Sequence, residues 1–178
     1  MVEKNELAVC ELTTPIGPLT LAVYDQQLCH IDFGALRETR EALTAWTRRQ
    51  GLPAGLRESA DACRQAADQI RRYFARERKT FDLPLFMKGT PFQKEVWAYL
   101  QTIPYGKTCS YKDVAIGIGR PKAVRAVGAA NNRNPIPIVV PCHRVVGRDG
   151  SLVGYGGGLD KKKWLLGMEK ETFSAVHC

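Results

Sequence analysis

The sequence has no CxxC pair, no apolar run of bilayer length and only three histidines, His30, His143 and His177. Each shortage excludes something. The six cysteines, Cys10, Cys29, Cys63, Cys109, Cys142 and Cys178, are widely and irregularly spaced, so reduced thiols are expected rather than a disulfide framework. Cys29 and His30 are adjacent, but no second ligand pair stands at zinc spacing, so no metal site is expected. A membrane-spanning helix needs about 20 consecutive apolar residues, and none is present. Met1 to Glu6 are charged and lack the apolar stretch of a signal peptide, which points to a cytoplasmic protein with no membrane association.

Acidic residues run short in one half only. Residues 89–178 hold 13 Lys+Arg against 6 Asp+Glu, a net of +7, whereas residues 1–88 hold 13 against 12, a net of +1. The second half also carries 12 of the 16 glycines. A basic half suits a polyanionic partner, although solubility alone also accounts for such charge. Composition and charge change together across Leu83–Gly89, so two domains are expected, residues 1–88 and 89–178.

Leu7–Leu12, Leu19–Tyr24 and Leu28–Phe33 are short, partly alternating apolar runs separated by turn residues, which predicts an antiparallel meander. Leu36–Arg49 and Ser59–Arg76 have helical spacing, with Ala66, Ile70, Tyr73 and Phe74 as core. In the second half, Thr90-Pro91-Phe92-Gln93 carries a threonine cap, proline at the first helical position and a capping-box glutamine. Ser110-Tyr111-Lys112-Asp113 opens a second helix, broken at Gly117 and Gly119, and Pro121 starts a third running from Lys122 to about Asn131. Two short helices across a glycine turn have the layout of a helix-turn-helix.

The third helix is almost bare. Ala123, Ala126, Gly128, Ala129 and Ala130 leave Arg125 as its main long side chain ahead of Asn131. A helix that reads base edges displays several Arg, Asn or Gln. A bare one allows close approach to backbone, either of nucleic acid or of another helix. Asn134-Pro135-Ile136-Pro137 is a stiff turn, expected to deliver Ile138–Val140 as an extended segment into Pro141-Cys142-His143-Arg144. A thiol beside a base is a nucleophile in prospect, while a free cysteine is otherwise an ordinary core residue. If residues 142–146 stay extended, Cys142 and His143 face opposite ways, and proton transfer between them needs water or a bend. Asp160 reads as the cap of a last helix from Lys161 to about Glu171, whose first-turn lysines are solvated or hold an anion.

Taken together, the ordered motifs from Gly89 to Glu169 resemble the O6-alkylguanine-DNA alkyltransferases, or methylated-DNA–protein-cysteine methyltransferases. They are Thr90–Trp97, Pro104-Tyr105-Gly106, Ser110-Tyr111, Arg125–Gly128, Asn134-Pro135, Pro141–Val145, Tyr155, Gly157-Gly158 and Lys162–Leu166. Thr14–Leu19 is similar to that family's first domain more loosely. The resemblance implies an α/β N-terminal domain with a ribonuclease-H-like antiparallel sheet plus helices, and a C-terminal winged-helix-like, mainly α domain that binds DNA and accepts the alkyl group. It implies that Cys142 is the nucleophile, His143 its base through water, Glu169 the residue that orients His143, and Asn134 the holder of the turn. Tyr111 would assist flipping and the leaving guanine, and Arg125 would fill the vacated stack. Ala123, Ala126, Gly128, Ala129 and Asn131 would lie along the DNA, with Val145, Tyr155, Gly156 and Lys162 about the base. The substrate would be duplex DNA carrying O6-alkylguanine, with O4-alkylthymine as a further candidate. Transfer would be irreversible and stoichiometric, by a monomer without a cofactor, with several copies able to line one duplex. Gly156 stands where some members have serine, and Tyr24, Cys10 and Cys29 do not reproduce the zinc ligands of others.

Three other functions fit part of the pattern. An alkyl-lesion-binding protein lacks the nucleophile, which Cys142 supplies here. A cysteine hydrolase using Cys142 and His143 would turn over an ester or amide and has no use for the basic third helix. A plain winged-helix regulator leaves Pro141–Arg144 unexplained.

Overall fold

The structure is a computed structural model that describes residues 5–177, and side chains as far as residue 172. It divides into two compact units, Met1–Lys88 and Gly89–Cys178. In the first unit, strands β1 (Glu6–Leu12), β2 (Leu19–Tyr24) and β3 (Gln27–Phe33) form the expected meander, with Val9 opposite Ala22 and Leu21 opposite Ile31. Asp25 and Gln26, at φ 48° and 62°, make the two-residue β2–β3 turn, the left-handed pair that matches strand twist. Helix α1 (Leu36–Arg49) runs where its periodicity puts it. A fourth strand, β4 (Gly55–Glu58), then joins β1 in parallel, giving the order β3-β2-β1-β4. A parallel partner needs a crossover, and α1 is that crossover. Helix α2 begins at Arg64, not Ser59, and ends at Phe74. Ser59 is held in a turn by its N–H on the Val9 carbonyl (2.9 Å) and its hydroxyl accepting from Ala62 N–H (3.2 Å).

The second unit is mainly helical: α3 (Pro91–Leu100), β5 (Cys109–Ser110), α4 (Tyr111–Gly117), α5 (Val124–Asn132), a 3₁₀ turn at Cys142–Arg144, β6 (Val145–Val146) and α6 (Leu159–His177). Both capping boxes form. Thr90 Oγ1 accepts from Gln93 N–H at 3.1 Å, and Ser110 Oγ from Asp113 N–H at 3.0 Å, each answered by the reverse bond. Helix α5 starts at Val124 rather than Lys122, because Pro121 and Lys122 are spent in the turn after Arg120. Helix α6 starts at Leu159, so Asp160 lies inside its first turn instead of capping it.

Two contacts fix the helix-turn-helix against α3. A Cβ on Gly117 would sit 2.1 Å from the Tyr99 ring, so any larger residue there would push that ring away from its place between α4 and α3. The buried Trp97 indole N–H donates to the Ala130 carbonyl of α5 at 2.8 Å. β5 and β6 pair in parallel, Cys109 with Val145, and tie the segment after Cys142 to the start of α4. The prediction from this packing is that Trp97→Phe, which keeps an aromatic but loses the donor and some volume, destabilises the protein by about 1–3 kcal/mol. Denaturant unfolding monitored by circular dichroism checks it.

Candidate active site

The chain approaches Cys142 through a coiled turn. Asn134 Oδ1 accepts from Ile136 N–H (3.0 Å), and its Nδ2 donates to the Val140 carbonyl (2.8 Å). Val140 N–H reaches back to the Ile136 carbonyl (2.9 Å). Residues 138–140 are therefore not extended. Pro135 and Pro137 offer no N–H for a ladder, and Asn134 closes the loop on itself. Ile138 carries the strain at φ 74°, a conformation that costs a branched residue roughly 1–3 kcal/mol. Full burial of Ile136, Ile138 and Val140 holds it there. Cys142–Arg144 then turn as 3₁₀, with Arg144 N–H on the Pro141 carbonyl at 3.0 Å. Within residues 142–146 the chain bends at Cys142–Arg144 and is extended only at Val145–Val146, so the Cys142 and His143 side chains do not alternate.

Glu169, from α6, gathers the buried polar groups. One carboxylate oxygen meets His143 Nε2 at 2.8 Å, and Arg144 donates from Nε and Nη2 at 3.0 and 2.9 Å. Arg144 Nη1 also reaches the Ile103 carbonyl at 2.7 Å, and its guanidinium lies 5.7 Å from the Tyr105 ring centre. Burial alone would push the Glu169 carboxyl up, but His143 and Arg144 outweigh it and hold the group well below the usual carboxylate range. Burial pushes His143 down, against the pull of Glu169. The two directions agree because Arg144, not His143, is the cation that neutralises Glu169. An ionised carboxylate only accepts, so Nε2 carries the proton of the neutral imidazole. The buried Nδ1, which has no partner among the described residues, is left as an acceptor.

The Cys142 thiol is 5% exposed, and burial pushes its pKa up to about 11. The Asn134 side chain, Lys162 and the Cys142 and His143 amides oppose that rise. At neutral pH the site thus holds a protonated thiol, a neutral imidazole with a free lone pair and groups that favour the thiolate once it forms. That arrangement suits a nucleophile activated at the moment of reaction.

Around this centre the expected residues fall into two groups. Arg125, Ala126 and Ala129 line the exposed side of α5, Ala123 caps it, and a Cβ on Gly128 would lie 4.0 Å from the Tyr111 ring. Asn131 does not belong with them. It is 3% exposed and donates to the Cys142 carbonyl at 3.4 Å, so it braces the nucleophile's peptide from within. Lys162 is likewise not solvated. It is 0% exposed, its Nζ donates to the Val153 and Gly154 carbonyls at 3.1 and 3.3 Å, and desolvation lowers its pKa. Tyr111 shares the Val153 carbonyl through a 2.8 Å hydroxyl bond. Val145 is buried in β6, Tyr155 is half-buried with its hydroxyl pushed well up by burial, and Gly156 is exposed with open space where a side chain would go. The sequence reading missed the part Arg144 plays. The signal for it was a lone cation inside the apolar run Ile136–Val146. Among the described residues, no group of three or more His, Cys, Asp or Glu stands as a metal-ligand set.

Two predictions follow from the buried triad. Folded His143 is held below its ordinary pKa of about 6.5, so the unfolded chain takes up a proton that the folded chain refuses, and stability falls as pH drops below about 6.5. Glu169 is held low, so its contribution is complete above the ordinary value near 4.5 and is lost below it. The melting temperature is expected to fall in two stages on acidification, the first abolished by His143→Gln. Thermal melts across pH check this. Glu169→Gln strands the Arg144 charge and is expected to destabilise by about 3–5 kcal/mol, read from urea unfolding.

Comparison with known proteins bears on both units. The family model for the 6-O-methylguanine DNA methyltransferase DNA binding domain matches residues 91–171, and that for its ribonuclease-like domain matches residues 11–87. A methylated-DNA–protein-cysteine methyltransferase of Methanosarcina barkeri is 46% identical over 161 residues, 90% of this chain and 96% of that protein. One of Mycobacterium bovis is 48% identical over 165 residues, 92% of this chain and 93% of the other. The crystal structure of Mycobacterium tuberculosis OGT in complex with DNA matches with a TM-score of 0.78 at 42% identity, covering 94% of each chain. With both units matched in order and relatives aligned nearly end to end, the chain belongs to the 6-O-methylguanine DNA methyltransferase family, whose members are the methylated-DNA–protein-cysteine methyltransferases.

Proposed function

We propose that this protein repairs duplex DNA by moving the alkyl group of O6-alkylguanine irreversibly onto Cys142, once per molecule. The observation that carries the reading is a buried Cys142 thiol beside a neutral His143 whose Nδ1 is free and whose Nε2 is fixed on Glu169. As the Cys142 sulfur attacks the alkyl carbon in line, the carbon–oxygen bond breaks and guanine leaves with its electrons. The thiol proton goes to His143 Nδ1 through a water. The Tyr111 hydroxyl turns from the Val153 carbonyl to a ring nitrogen of the leaving base, which takes up one proton from water as His143 gives its own back, so that neutral guanine is restored. Val145 and Gly156 present backbone groups to its edge. The product is a thioether, a poor leaving group with no hydrolytic exit, so the thiol is consumed. No cofactor enters this scheme.

The alkyl carbon lies inside the base stack, and extruding the base costs a few kcal/mol. The exposed Arg125, on a helix otherwise lined with Ala126, Gly128 and Ala129, supports a role in occupying the vacated space. The small residues let α5 approach the groove, and the relative's complex with DNA makes duplex the first substrate to test. O4-alkylthymine, presented in the same way, is a second candidate substrate. The protein acts as a monomer in this reading, with neighbouring copies able to bind side by side.

Incubation with a duplex containing one O6-methylguanine, followed by intact and peptide mass spectrometry, tests the proposal. One added methyl on Cys142, guanine restored and activity exhausted at one equivalent are expected. Cys142→Ala should bind the lesion and transfer nothing. Lesion binding without a mass change in the wild type would instead make this a recognition protein, and turnover of an ester or amide would make it a hydrolase. Arg125→Ala is expected to slow transfer from duplex by about ten- to a hundredfold, roughly 1–3 kcal/mol, and to leave the slower reaction with free O6-methylguanine unchanged. Single-turnover rates on the two substrates separate these effects.

A further inference from the structure

Three thiols of the first unit, those of Cys10, Cys29 and Cys63, take no part in the chemistry at Cys142, and two of them are paired. Along β1, Leu7 and Val9 pack in a cluster with Ala22, Cys29, Leu36 and Leu43, so Ala8 and Cys10 point to the opposite face. The turn before α2 is stitched to that strand. Ser59 N–H donates to the Val9 carbonyl at 2.9 Å, and Cys63 Sγ lies 4.0 Å from the Ala8 carbonyl oxygen. Cys63, the residue that opens α2, is thereby laid over the face of β1 that carries Cys10, close enough for each thiol to shift the other's ionisation.

The pair is also accessible from one side. β4 pairs with β1 only as far as Val9, so Cys10 is the first residue beyond the end of β4. It is half-buried. Cys63 is fully buried behind it. A reachable thiol backed by a second thiol is the arrangement of a redox site with its resolving cysteine.

We infer that Cys10 and Cys63 form a reversible thiol–disulfide site, oxidised by a small peroxide that reaches the half-buried Cys10 past the end of β4. The Cys10 thiolate attacks one peroxide oxygen, the O–O bond breaks, and the departing hydroxide takes up a proton to become water, leaving Cys10 as a sulfenic acid. The Cys63 sulfur then attacks the Cys10 sulfur. The S–S bond forms, the S–O bond breaks, and hydroxide leaves with the Cys63 proton as a second water. Two thiols lose two electrons and one peroxide is reduced to two waters. The Cys63 side chain and the nearby Arg71 favour the Cys10 thiolate, against the opposing effect of burial. Cys29 is not the partner, because it donates to the Ala22 carbonyl at 3.3 Å on the other face of the sheet.

The test treats the reduced full-length protein with hydrogen peroxide, digests it without reductant and maps the peptides by mass spectrometry. A Cys10–Cys63 linked pair, two hydrogens lighter than its parts and reversed by dithiothreitol, is expected before any oxidation of Cys142. In Cys63→Ala, Cys10 should stop at the sulfenic acid and be trapped by dimedone. No linked pair in the wild-type protein, linkage of Cys10 to a different cysteine, or earlier oxidation of Cys142 overturns the inference. Those readings come from the unaltered chain and do not depend on the variant folding.

Discussion

One carboxylate holds the second unit's chemistry together. Glu169 is almost fully buried and is the shared acceptor for His143 and Arg144, while Arg144 also ties down the Ile103 carbonyl. Burying an arginine and a glutamate costs several kcal/mol each before their mutual attraction and remaining hydrogen bonds are counted. The geometry here meets that condition, with two guanidinium nitrogens on the carboxylate and a third on a backbone carbonyl. The arrangement is therefore better understood as a positioning device than as a source of stability. It selects one imidazole tautomer and fixes the 3₁₀ turn that presents Cys142.

The same logic accounts for the strained approach to the turn. A branched residue at positive φ, two prolines and an asparagine closing on its own loop form an unfavourable local sequence taken one residue at a time. Packing of Ile136, Ile138 and Val140 outweighs that local cost. The result is a thiol kept neutral and nearly closed off, with Asn134, Lys162 and two backbone amides already in place for the anion. Preorganised polar groups of this kind need no rearrangement when charge develops.

Much of this was legible beforehand where local chemistry decides the outcome. Thr90 and Ser110 announce their helices because capping is a local bargain between a side chain and three residues of backbone. The meander follows from alternation and turn residues, and α1 from its apolar stripe. β4 was invisible, since Gly55-Leu56-Arg57-Glu58 has almost no strand character and pairs only because β1 offers an open edge. The burial of Lys162 and Asn131 was hidden for a related reason. Both look like surface residues in sequence, and only tertiary contacts supply the carbonyls that make their burial tolerable. The bend at Cys142 depends on Val140 and Pro141 carbonyls folded back beneath it, a contact that no pairwise periodicity encodes.

The order of strands carries a consequence for the time course of folding. β1 lies second from one edge, and its parallel neighbour β4 is about 50 residues downstream, with Glu6 opposite Gly55. Loop closure over that span must precede the reward of pairing, which slows a sheet relative to helices made of near neighbours. In the second unit α3 and α4 carry their own caps and α4 meets α5 across a short turn, so these helices can assemble from local contacts. A ribosome releasing this chain would therefore emit the slow half first, and the half that holds the nucleophile would be the quicker to close once it emerges.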